Sequence, residues 1–289
     1  MTGALAPVKL TFDDHDRDKA GMRYVYPVVS RRARGVSIGI NLNTDNACNW
    51  RCVYCQVPGL VRGAAPQVDL AQLESELRTM LAQACDAAWM ERHVPEGARR
   101  LNDVALSGNG ESTTSLQFEA VLEIISTVLA ERQLLGKLKV VLITNGSLVA
   151  QPRVQRGLTR LAELGGEAWF KLDSATDEGR RRLNDTRIDD ERVLESLVTC
   201  AGLAPTWVQT MALDFDGPTL AGDEERSYVE LLRLARERGA RLRGVLLYGF
   251  ARASHQPEAS RLRALAPAEL EALGQRIEQA TGLAVQTTP

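Results

Sequence analysis

The stretch SIGINLNTDNACNWRCVYC (residues 37–55) contains a short strand pattern followed by a dense group of cysteines. Its first six residues, Ser37 to Leu42, are mostly apolar or small and predict a β-strand. Cys48, Cys52 and Cys55 follow at spacings of four and then three residues. Thiolates are soft ligands that suit zinc or iron–sulfur clusters. The stretch therefore predicts a metal site directly after a strand.

The order of a strand followed by a helix recurs along the chain. Six strands are predicted, at residues 37–42, 103–107, 138–144, 168–173, 207–213 and 242–248. Between them, apolar residues recur at helical spacing, as in Leu70, Leu73, Leu77 and Leu81. A last helix is predicted over residues 267–280, before Gly282. This alternation predicts an α/β fold in which repeated βα units surround a parallel sheet.

The composition is that of an ordinary globular protein, with 44% hydrophobic and 25% charged residues. The net charge of −2 excludes a global positive field that attracts nucleic acid, but arginine clusters at residues 31–34, 180–182 and 236–243 leave an RNA partner open. The N-terminus lacks the pattern of a signal peptide, and no apolar run reaches membrane-spanning length. We therefore expect a cytoplasmic protein whose five cysteines bind metal, act in catalysis or pack, rather than form disulfides.

Polar residues follow three of the predicted strands. Ser107 to Glu111 read SGNGE after the second strand, Thr144 and Asn145 end the third, and residues 171–174 end the fourth. Functional groups of parallel βα arrays lie on the loops at the carboxyl ends of the strands. We therefore expect these residues to face a common pocket.

Three interpretations of the cysteines compete. A structural zinc site needs a fourth ligand, and none of the remaining candidates lies in a second closely spaced cysteine pair. These candidates are Cys85, Cys200, His15, His93 and His255. Simple packing is poorly suited to a polar loop that contains Asn49 and Arg51. A [4Fe–4S] cluster on three thiolates leaves one iron open to an external ligand, and it fits the spacing.

The pattern Cys48-x-x-x-Cys52-x-Tyr54-Cys55 after a first strand resembles the signature of the radical S-adenosylmethionine (SAM) superfamily. The resemblance implies a partial (β/α)6 TIM-like barrel over residues 37–250, an N-terminal extension over residues 1–36 and a C-terminal helical extension over residues 251–289. It implies a single [4Fe–4S] cluster on the three cysteines, with SAM at the open iron. An external one-electron reductant such as flavodoxin or ferredoxin would drive cleavage of SAM to methionine and a 5′-deoxyadenosyl radical, which abstracts hydrogen from a substrate.

The resemblance also implies SAM contacts at the strand ends. The implied cofactor-binding residues are Tyr54, Gly108, Asn109, Gly110, Glu111, Thr144, Asn145, Asp173, Ser174, Gln209 and Tyr248. Residues 108–111 resemble the Gly-Gly-Glu element of the family with Asn109 inserted, and the glycines would let the backbone approach the ligand. The alternatives are local: glycine-rich or polar turns, and helix capping by Asp173 or Ser174.

A narrower resemblance is to the branch of the superfamily that contains the tRNA wyosine-base synthases. It is carried by Ser30-Arg31-Arg32, Ile40-Asn41-Leu42, Cys55-Gln56, residues 108–111 and Lys171-Leu172-Asp173. Those synthases carry a second cluster on further cysteines, whereas this chain has no cysteine before Cys48. Their lysine forms a Schiff base with pyruvate, and Lys171 is the candidate catalytic residue here because burial would lower its pKa and favour a nucleophilic amine. An ion pair with a neighbouring carboxylate is the alternative role.

The expected substrate is a small molecule or a nucleotide in RNA that enters at the carboxyl-end mouth of the barrel. Two other functions stay open. One is an activase that installs a glycyl radical on a partner protein, and the other is a non-enzymatic zinc-binding module. No membrane partner is expected.

Overall fold

The computed structural model describes residues 9–11, 20–30 and 35–289. The strands are β1 (Val25–Ser30), β2 (Gly35–Ile40), β3 (Ala47–Cys48), β4 (Val61–Arg62), β5 (Leu101–Leu106), β6 (Lys139–Thr144), β7 (Glu167–Lys171), β8 (Thr206–Ala212), β9 (Asp214–Phe215), β10 (Leu242–Gly249), β11 (Leu262–Arg263) and β12 (Val285–Thr288). The α-helices are α1 (Leu70–Ala84), α2 (Ala87–His93), α3 (Phe118–Glu131), α4 (Pro152–Glu163), α5 (Asp177–Asn184), α6 (Asp190–Leu203), α7 (Asp223–Glu237) and α8 (Pro267–Thr281). His15, Arg31, Arg32 and Arg34, named above, lie outside the described residues.

Eight strands form the main sheet, in the order β1-β2-β5-β6-β7-β8-β10-β12. From β2 to β12 every neighbouring pair is parallel, and helices connect the strands. The six predicted strands correspond to β2, β5, β6, β7, β8 and β10, with ends that differ by one or two residues. The predicted partial TIM-like barrel is therefore confirmed as an open, curled α/β sheet.

Two strands of this sheet lie outside the predicted six. β1 pairs antiparallel with β2, and the ring of Tyr26 covers Gly39, where a Cβ atom would lie 2.2 Å from the Tyr26 Cζ. At the other edge, α8 ends at Gly282, whose φ of 68° reverses the chain into β12 beside β10. The predicted extensions thus each add a strand to the sheet, while the domain boundaries stay a prediction.

The main hydrophobic core lies between the sheet and its helices. α1 buries Leu73, Leu77 and Leu81 on one face, as their spacing predicts. Phe118 of α3 packs on Gly157 of α4, where a Cβ would lie 2.3 Å from its ring. A side chain at this position would push the two helices apart.

A second, smaller hydrophobic cluster surrounds the cysteine-rich segment. It consists of Trp50, Cys52, Val53, Tyr54, Leu183, Met211, Leu213, Phe215 and Leu262. The segment therefore packs on an apolar base drawn from three other parts of the chain. Among the described residues, no helix is long and apolar enough to cross a membrane.

Candidate cofactor site

The cysteine loop (residues 46–57) lies between β2 and α1. Cys52 is buried, Cys48 and Cys55 are half-buried, and all three are free thiols. They line a cavity of about 280 Å³. The other predicted site residues that line this cavity are Tyr54, Gly108, Asn109, Gly110, Glu111, Asn145, Lys171, Gln209 and Tyr248. The expected common pocket therefore exists, and Thr144, Asp173 and Ser174 lie outside its lining.

The sulfur of Cys52 has two polar neighbours. The Asn184 side-chain amide donates to it at 3.2 Å, and the Lys171 Nζ lies 3.9 Å away. Burial nevertheless raises the pKa of Cys52, and it raises the pKa of Cys48 to about 11. Burial therefore favours the protonated form of Cys48 and Cys52 in the metal-free protein, and a metal has to displace their protons.

Residues far away in the sequence hold the cysteine loop. The backbone N–H of Val53 donates to the Leu183 carbonyl at 2.8 Å. From the segment after β10, the Ser254 hydroxyl donates to the Val53 carbonyl at 2.7 Å, and the Gln256 amide donates to the Val57 carbonyl at 3.2 Å. These contacts satisfy a backbone N–H and two backbone carbonyls in a loop that has little regular secondary structure of its own.

Arg51 forms ion pairs that also connect the cysteine loop to distant parts of the chain. Arg51, inside the cysteine loop, binds Glu258 through two hydrogen bonds of 2.9 and 3.0 Å. It also contacts Asp185, which follows α5, at 3.2 Å. The bidentate geometry orients the loop relative to the C-terminal part of the chain.

The glycine loop (residues 107–111) follows β5 and packs directly on the segment between β2 and the cysteines. A Cβ on Gly108 would lie 2.3 Å from the Asn41 Oδ1, and a Cβ on Gly110 would lie 2.1 Å from the Ala47 carbonyl oxygen. The Asn109 backbone N–H donates to the Asn41 Oδ1 at 3.0 Å. In this structure the glycines allow two protein segments to approach each other closely. The prediction was that they allow the backbone to approach a ligand.

Glu111 joins the ends of β5 and β6. One of its carboxylate oxygens accepts from the Thr144 hydroxyl at 2.8 Å, and the other accepts from the Asn145 backbone N–H at 2.6 Å. Thr113 donates to the first oxygen as well, through both its N–H and its hydroxyl. Thr144 acts in this structure by holding Glu111 in place.

Asp173 is buried behind the cavity and accepts three hydrogen bonds. The donors are the Tyr54 hydroxyl, the Asn184 amide at 2.7 Å and the Met211 N–H at 3.0 Å. Its neighbour Ser174 accepts from the Thr176 N–H at 3.1 Å, while Thr176 is the residue that caps α5. The structure thus places Asp173 beneath Tyr54, and Ser174 in the turn before the helix.

Lys171 lies between Cys52 and the aromatic ring of Tyr54, whose centroid is 4.9 Å from its Nζ. Burial acts to lower the pKa of the Lys171 ammonium, but the negative charges of Cys52 in its thiolate form and of Asp173 outweigh burial and raise it. The predicted lowering of this pKa is therefore wrong, and Lys171 is a cation at neutral pH. Its catalytic role stays a prediction.

The family model for the radical SAM superfamily matches residues 42–216, which is more than half of the 289-residue chain. The matched range includes the cysteine loop and the glycine loop. The chain belongs to the radical SAM superfamily. It is accordingly an iron–sulfur enzyme whose cofactors are a [4Fe–4S] cluster and SAM.

Two curated proteins, each described as a UPF0026 protein from Helicobacter pylori, are similar to this radical SAM protein. The protein of strain J99 is 26% identical over 175 residues, which cover 60% of this chain and 50% of the relative. The protein of strain 26695 is 28% identical over 133 residues, which cover 46% of this chain and 37% of the relative. The chain therefore spans half or less of the length of the curated relatives that it matches.

Two solved structures share the fold of this radical SAM protein. TYW1 with a lysine–pyruvate adduct bound has a TM-score of 0.56 and 16% identity, over 84% of this chain and 73% of TYW1. Streptococcus suis SuiB bound to S-adenosylmethionine has a TM-score of 0.52 and 12% identity, over 87% of this chain and 46% of SuiB. At these identities the similarity shows a common fold.

The chemistry of the cavity fits the two cofactors of the superfamily. Among the described residues, no three His, Cys, Asp or Glu side chains converge on the position of one metal ion. In a [4Fe–4S] cluster each cysteine binds a different iron, so the thiols need only surround a cavity. Gln209 on the cavity wall is 3% exposed, and its Oε1 has no hydrogen-bond partner among the described residues. A bound ligand with a donor group would satisfy it.

Sequence reasoning missed four residues that support the site: Asn184, Ser254, Gln256 and Glu258. The sequence did contain a signal for Asn184. It is the last residue of a short helix that follows the fourth predicted strand, and that helix starts at the same sheet edge as Asp173. The other three lie about 200 residues after the cysteines, in a segment with no motif.

Proposed function

We propose that this chain is a radical SAM enzyme that binds its cluster through Cys48, Cys52 and Cys55 and binds SAM in the 280 Å³ cavity that they line. The observation that supports this most is that three free thiols share one cavity with polar residues at the ends of several parallel strands. When bound, the cluster and SAM together supply a 5′-deoxyadenosyl radical by one-electron reduction and cleavage of a carbon–sulfur bond. The protein then has to bind, orient and shield the reacting groups.

In this proposal the cavity wall supplies the SAM contacts. Backbone carbonyls of the glycine loop accept from the methionine ammonium, and the Gln209 Oε1 accepts from a hydroxyl or amino group of SAM. Asn145 and Tyr248 line the same cavity and bind the polar and adenine parts of the cofactor. Tyr54 closes the wall between Cys52 and Cys55.

Residues outside the lining of the cofactor cavity hold the lining residues in place. Glu111 and Thr144 hold the strand ends together. Asp173 fixes the Tyr54 hydroxyl and the Asn184 amide, and Asn184 in turn donates to Cys52. The Lys171 ammonium offsets the negative charge of the Cys52 thiolate, so its use as a nucleophile would first require loss of a proton.

The radical acts on a substrate at the same mouth of the barrel, and the substrate is a small molecule or a nucleotide in RNA. The electron comes from an external one-electron reductant. Cys52 is buried and Cys55 is half-buried, so the reductant has to approach from the exposed side of the cysteine loop, where Arg62 is partly exposed.

The test is anaerobic reconstitution with iron and sulfide, followed by incubation with SAM and dithionite and detection of 5′-deoxyadenosine. We expect wild-type protein to form 5′-deoxyadenosine and Cys52→Ala to form none. Cys85→Ala is the matched control, because this exposed cysteine lies outside the cavity lining and should keep both the cluster and the activity. Failure of wild-type protein to form the product, or equal rates in wild type and Cys52→Ala, would contradict the proposal. Tight binding of zinc without iron would support a zinc-binding module.

A further inference from the structure

A second cavity of about 260 Å³ lies beside the cofactor cavity. The two cavities share Gln56, Ser107, Ile143, Met211 and Tyr248 in their walls. The remaining wall comes from mid-strand residues such as Asp103 of β5 and Trp169 of β7, and from Tyr26 of β1. This chamber is therefore the interior of the curled sheet, directly next to the proposed SAM site.

The chamber combines aromatic walls with one carboxylate side chain, that of Asp103, and one guanidinium, that of Arg252. Tyr26, Trp169, Tyr248 and Phe250 line it, and Asp103 lies among them. Aromatic side chains offer large apolar contact area to a flat or aliphatic ligand. Asp103 is half-buried there, and a carboxylate partly withdrawn from water gains from a cationic partner.

Asp103 has little compensation for its charge. Its carboxylate accepts a hydrogen bond from the Ser37 hydroxyl across the β2–β5 pair. Burial raises the pKa of Asp103, and the hydrogen bond from Ser37 and the positive charge of Lys139 oppose this only in part. Lys139 itself forms an ion pair with Glu167 at 3.2 Å. A cationic ligand group in the chamber would supply the missing charge.

We propose that this chamber is the substrate site, and that the substrate is a small organic molecule whose protonated amine, amidine or guanidine group pairs with Asp103. The proposal rests on the proposed function, because it uses the shared wall with the SAM cavity to bring the substrate next to the radical. The chamber is smaller than the roughly 300–1,000 Å³ of pockets for drug-sized ligands. It therefore favours a small molecule over a nucleotide that remains part of an RNA chain.

Binding of three isosteric probes to the reconstituted holoenzyme tests the charge preference. Benzamidine is a flat cation, benzamide is its neutral analogue and benzoate its anionic analogue, and isothermal titration calorimetry measures all three. We expect benzamidine to bind at least about tenfold more tightly than benzamide, the effect of one good charge-assisted contact. Arg252 also lines the chamber, so benzoate tests the opposite preference. Equal or tighter binding of benzamide or benzoate, or no binding of any probe, would overturn the proposal.

Two variants separate the charge from the shape of the chamber. Asp103→Asn should remove the difference between benzamidine and benzamide, whereas Ala105→Val, which adds two methyl groups to the chamber wall, should weaken both. Glu271→Gln, at an exposed position of α8, should leave both affinities unchanged. If Asp103→Asn does not fold, the affinities of the probes for wild type and for Ala105→Val still test the proposal. Preference of wild type for benzamidine, and weaker binding of both probes to Ala105→Val, would support it, and any other ranking would overturn it.

The outcome is independent of the test of the proposed function. If wild-type protein forms no 5′-deoxyadenosine but prefers benzamidine through Asp103, the radical function fails and the cation site stands. If 5′-deoxyadenosine forms but the probes show no preference for the cation, the substrate class is wrong and the radical function stands.

Discussion

The cysteine loop and the glycine loop lie side by side at the same sheet edge, yet they are held in different ways. The glycine loop is held mainly by close packing on the segment before the cysteines, 68 positions away for the pair Asn41–Asn109: Asn41 binds its backbone, and its glycines leave no room for side chains against Asn41 and Ala47. The cysteine loop depends on residues 130 to 207 positions away, from Leu183 to Glu258. Close packing thus supports one loop, and polar contacts from distant parts of the chain support the other.

This difference predicts how substitutions in or around each loop affect stability and the cluster. A change in the glycine loop should act through steric overlap and destabilise the whole strand-end region. A change in the partners of the cysteine loop should remove single hydrogen bonds or an ion pair, with smaller losses of stability and with effects on the cluster. The four predictions below test this order.

The largest loss of stability is expected for Gly110→Ala. Its Cβ would lie 2.1 Å from a backbone oxygen, that of Ala47, which cannot move aside as a flexible side chain would. We expect urea denaturation to show a free energy of unfolding lower by about 3 kcal/mol. Gly202→Ala near the end of α6 is the control, because no atom lies within 4 Å of its Cβ position, and it should gain up to about 1 kcal/mol. Unchanged stability of Gly110→Ala would refute the packing role of the glycine loop.

Asp173→Asn is expected to have the next largest effect. The substitution keeps the shape of the side chain but replaces one carboxylate oxygen with an N–H₂ group. This group faces one or more of the three donors whose hydrogen bonds Asp173 accepts, and it cannot accept from them. We expect a loss of about 2 kcal/mol in the same denaturation experiment, because buried donors are left without acceptors. Asp223→Asn, whose side chain is 89% exposed, should change stability by less than about 0.5 kcal/mol. Similar effects of the two substitutions would show that Asp173 does not organise the site.

Asn184→Leu tests the hydrogen bond to the Cys52 sulfur. Loss of this donor and of its contact with Asp173 should cost about 1 kcal/mol of stability in the metal-free protein. In reconstituted protein we expect a more negative reduction potential, because hydrogen bonds to cluster sulfurs stabilise the reduced state. Potentiometric titration followed by electron paramagnetic resonance measures this shift. An unchanged potential would mean that Asn184 serves packing alone.

The smallest effect is expected for Glu258→Gln, which weakens the bond to Arg51. The two side chains are 19% and 30% exposed, so we expect a loss of about 0.5–1 kcal/mol at neutral pH. The hydrogen bond from Arg51 lowers the pKa of Glu258. The stabilisation is therefore present above the ordinary glutamate pKa of about 4.3 and is lost as the pH falls through the lower folded-state value. Denaturation of both proteins across this range should show their difference shrinking in acid, and a constant difference would contradict the ion-pair explanation.

Much of the barrel could be predicted from the chain because each strand and helix carries its own periodicity. β1 and β12 were missed because neither is followed by a helix of a repeating βα unit. Ser37 and Asp103 were placed on predicted strands, but the pattern within one strand did not show that their side chains line a chamber inside the sheet. Those positions follow only from the alternation along strands whose register is known.

The candidate site was predictable where it depended on motifs. The cysteines, the glycine loop, Asn145, Gln209 and Tyr248 do line one cavity, and their individual roles stay predictions. Asp173 and Thr144 were expected to contact the ligand; their side chains lie outside the cavity lining and bind protein partners, and a role in cofactor binding stays a prediction. The pKa of Lys171 was predicted in the wrong direction, since burial was counted without the nearby charges of Cys52 and Asp173.

The repeated βα pattern by itself determined the kind of fold, and the spacing of Cys48, Cys52 and Cys55 predicted the kind of cofactor through its resemblance to the radical SAM signature. Both depend on short-range features, namely ligand spacing within one loop and apolar periodicity within one element. The tertiary structure decided which side chains meet. It set the partners of the cysteine loop, the lining of the two cavities and the position of the Asp103 carboxylate in the second cavity. These depend on strand register and on contacts across more than 100 residues, which local sequence patterns do not encode.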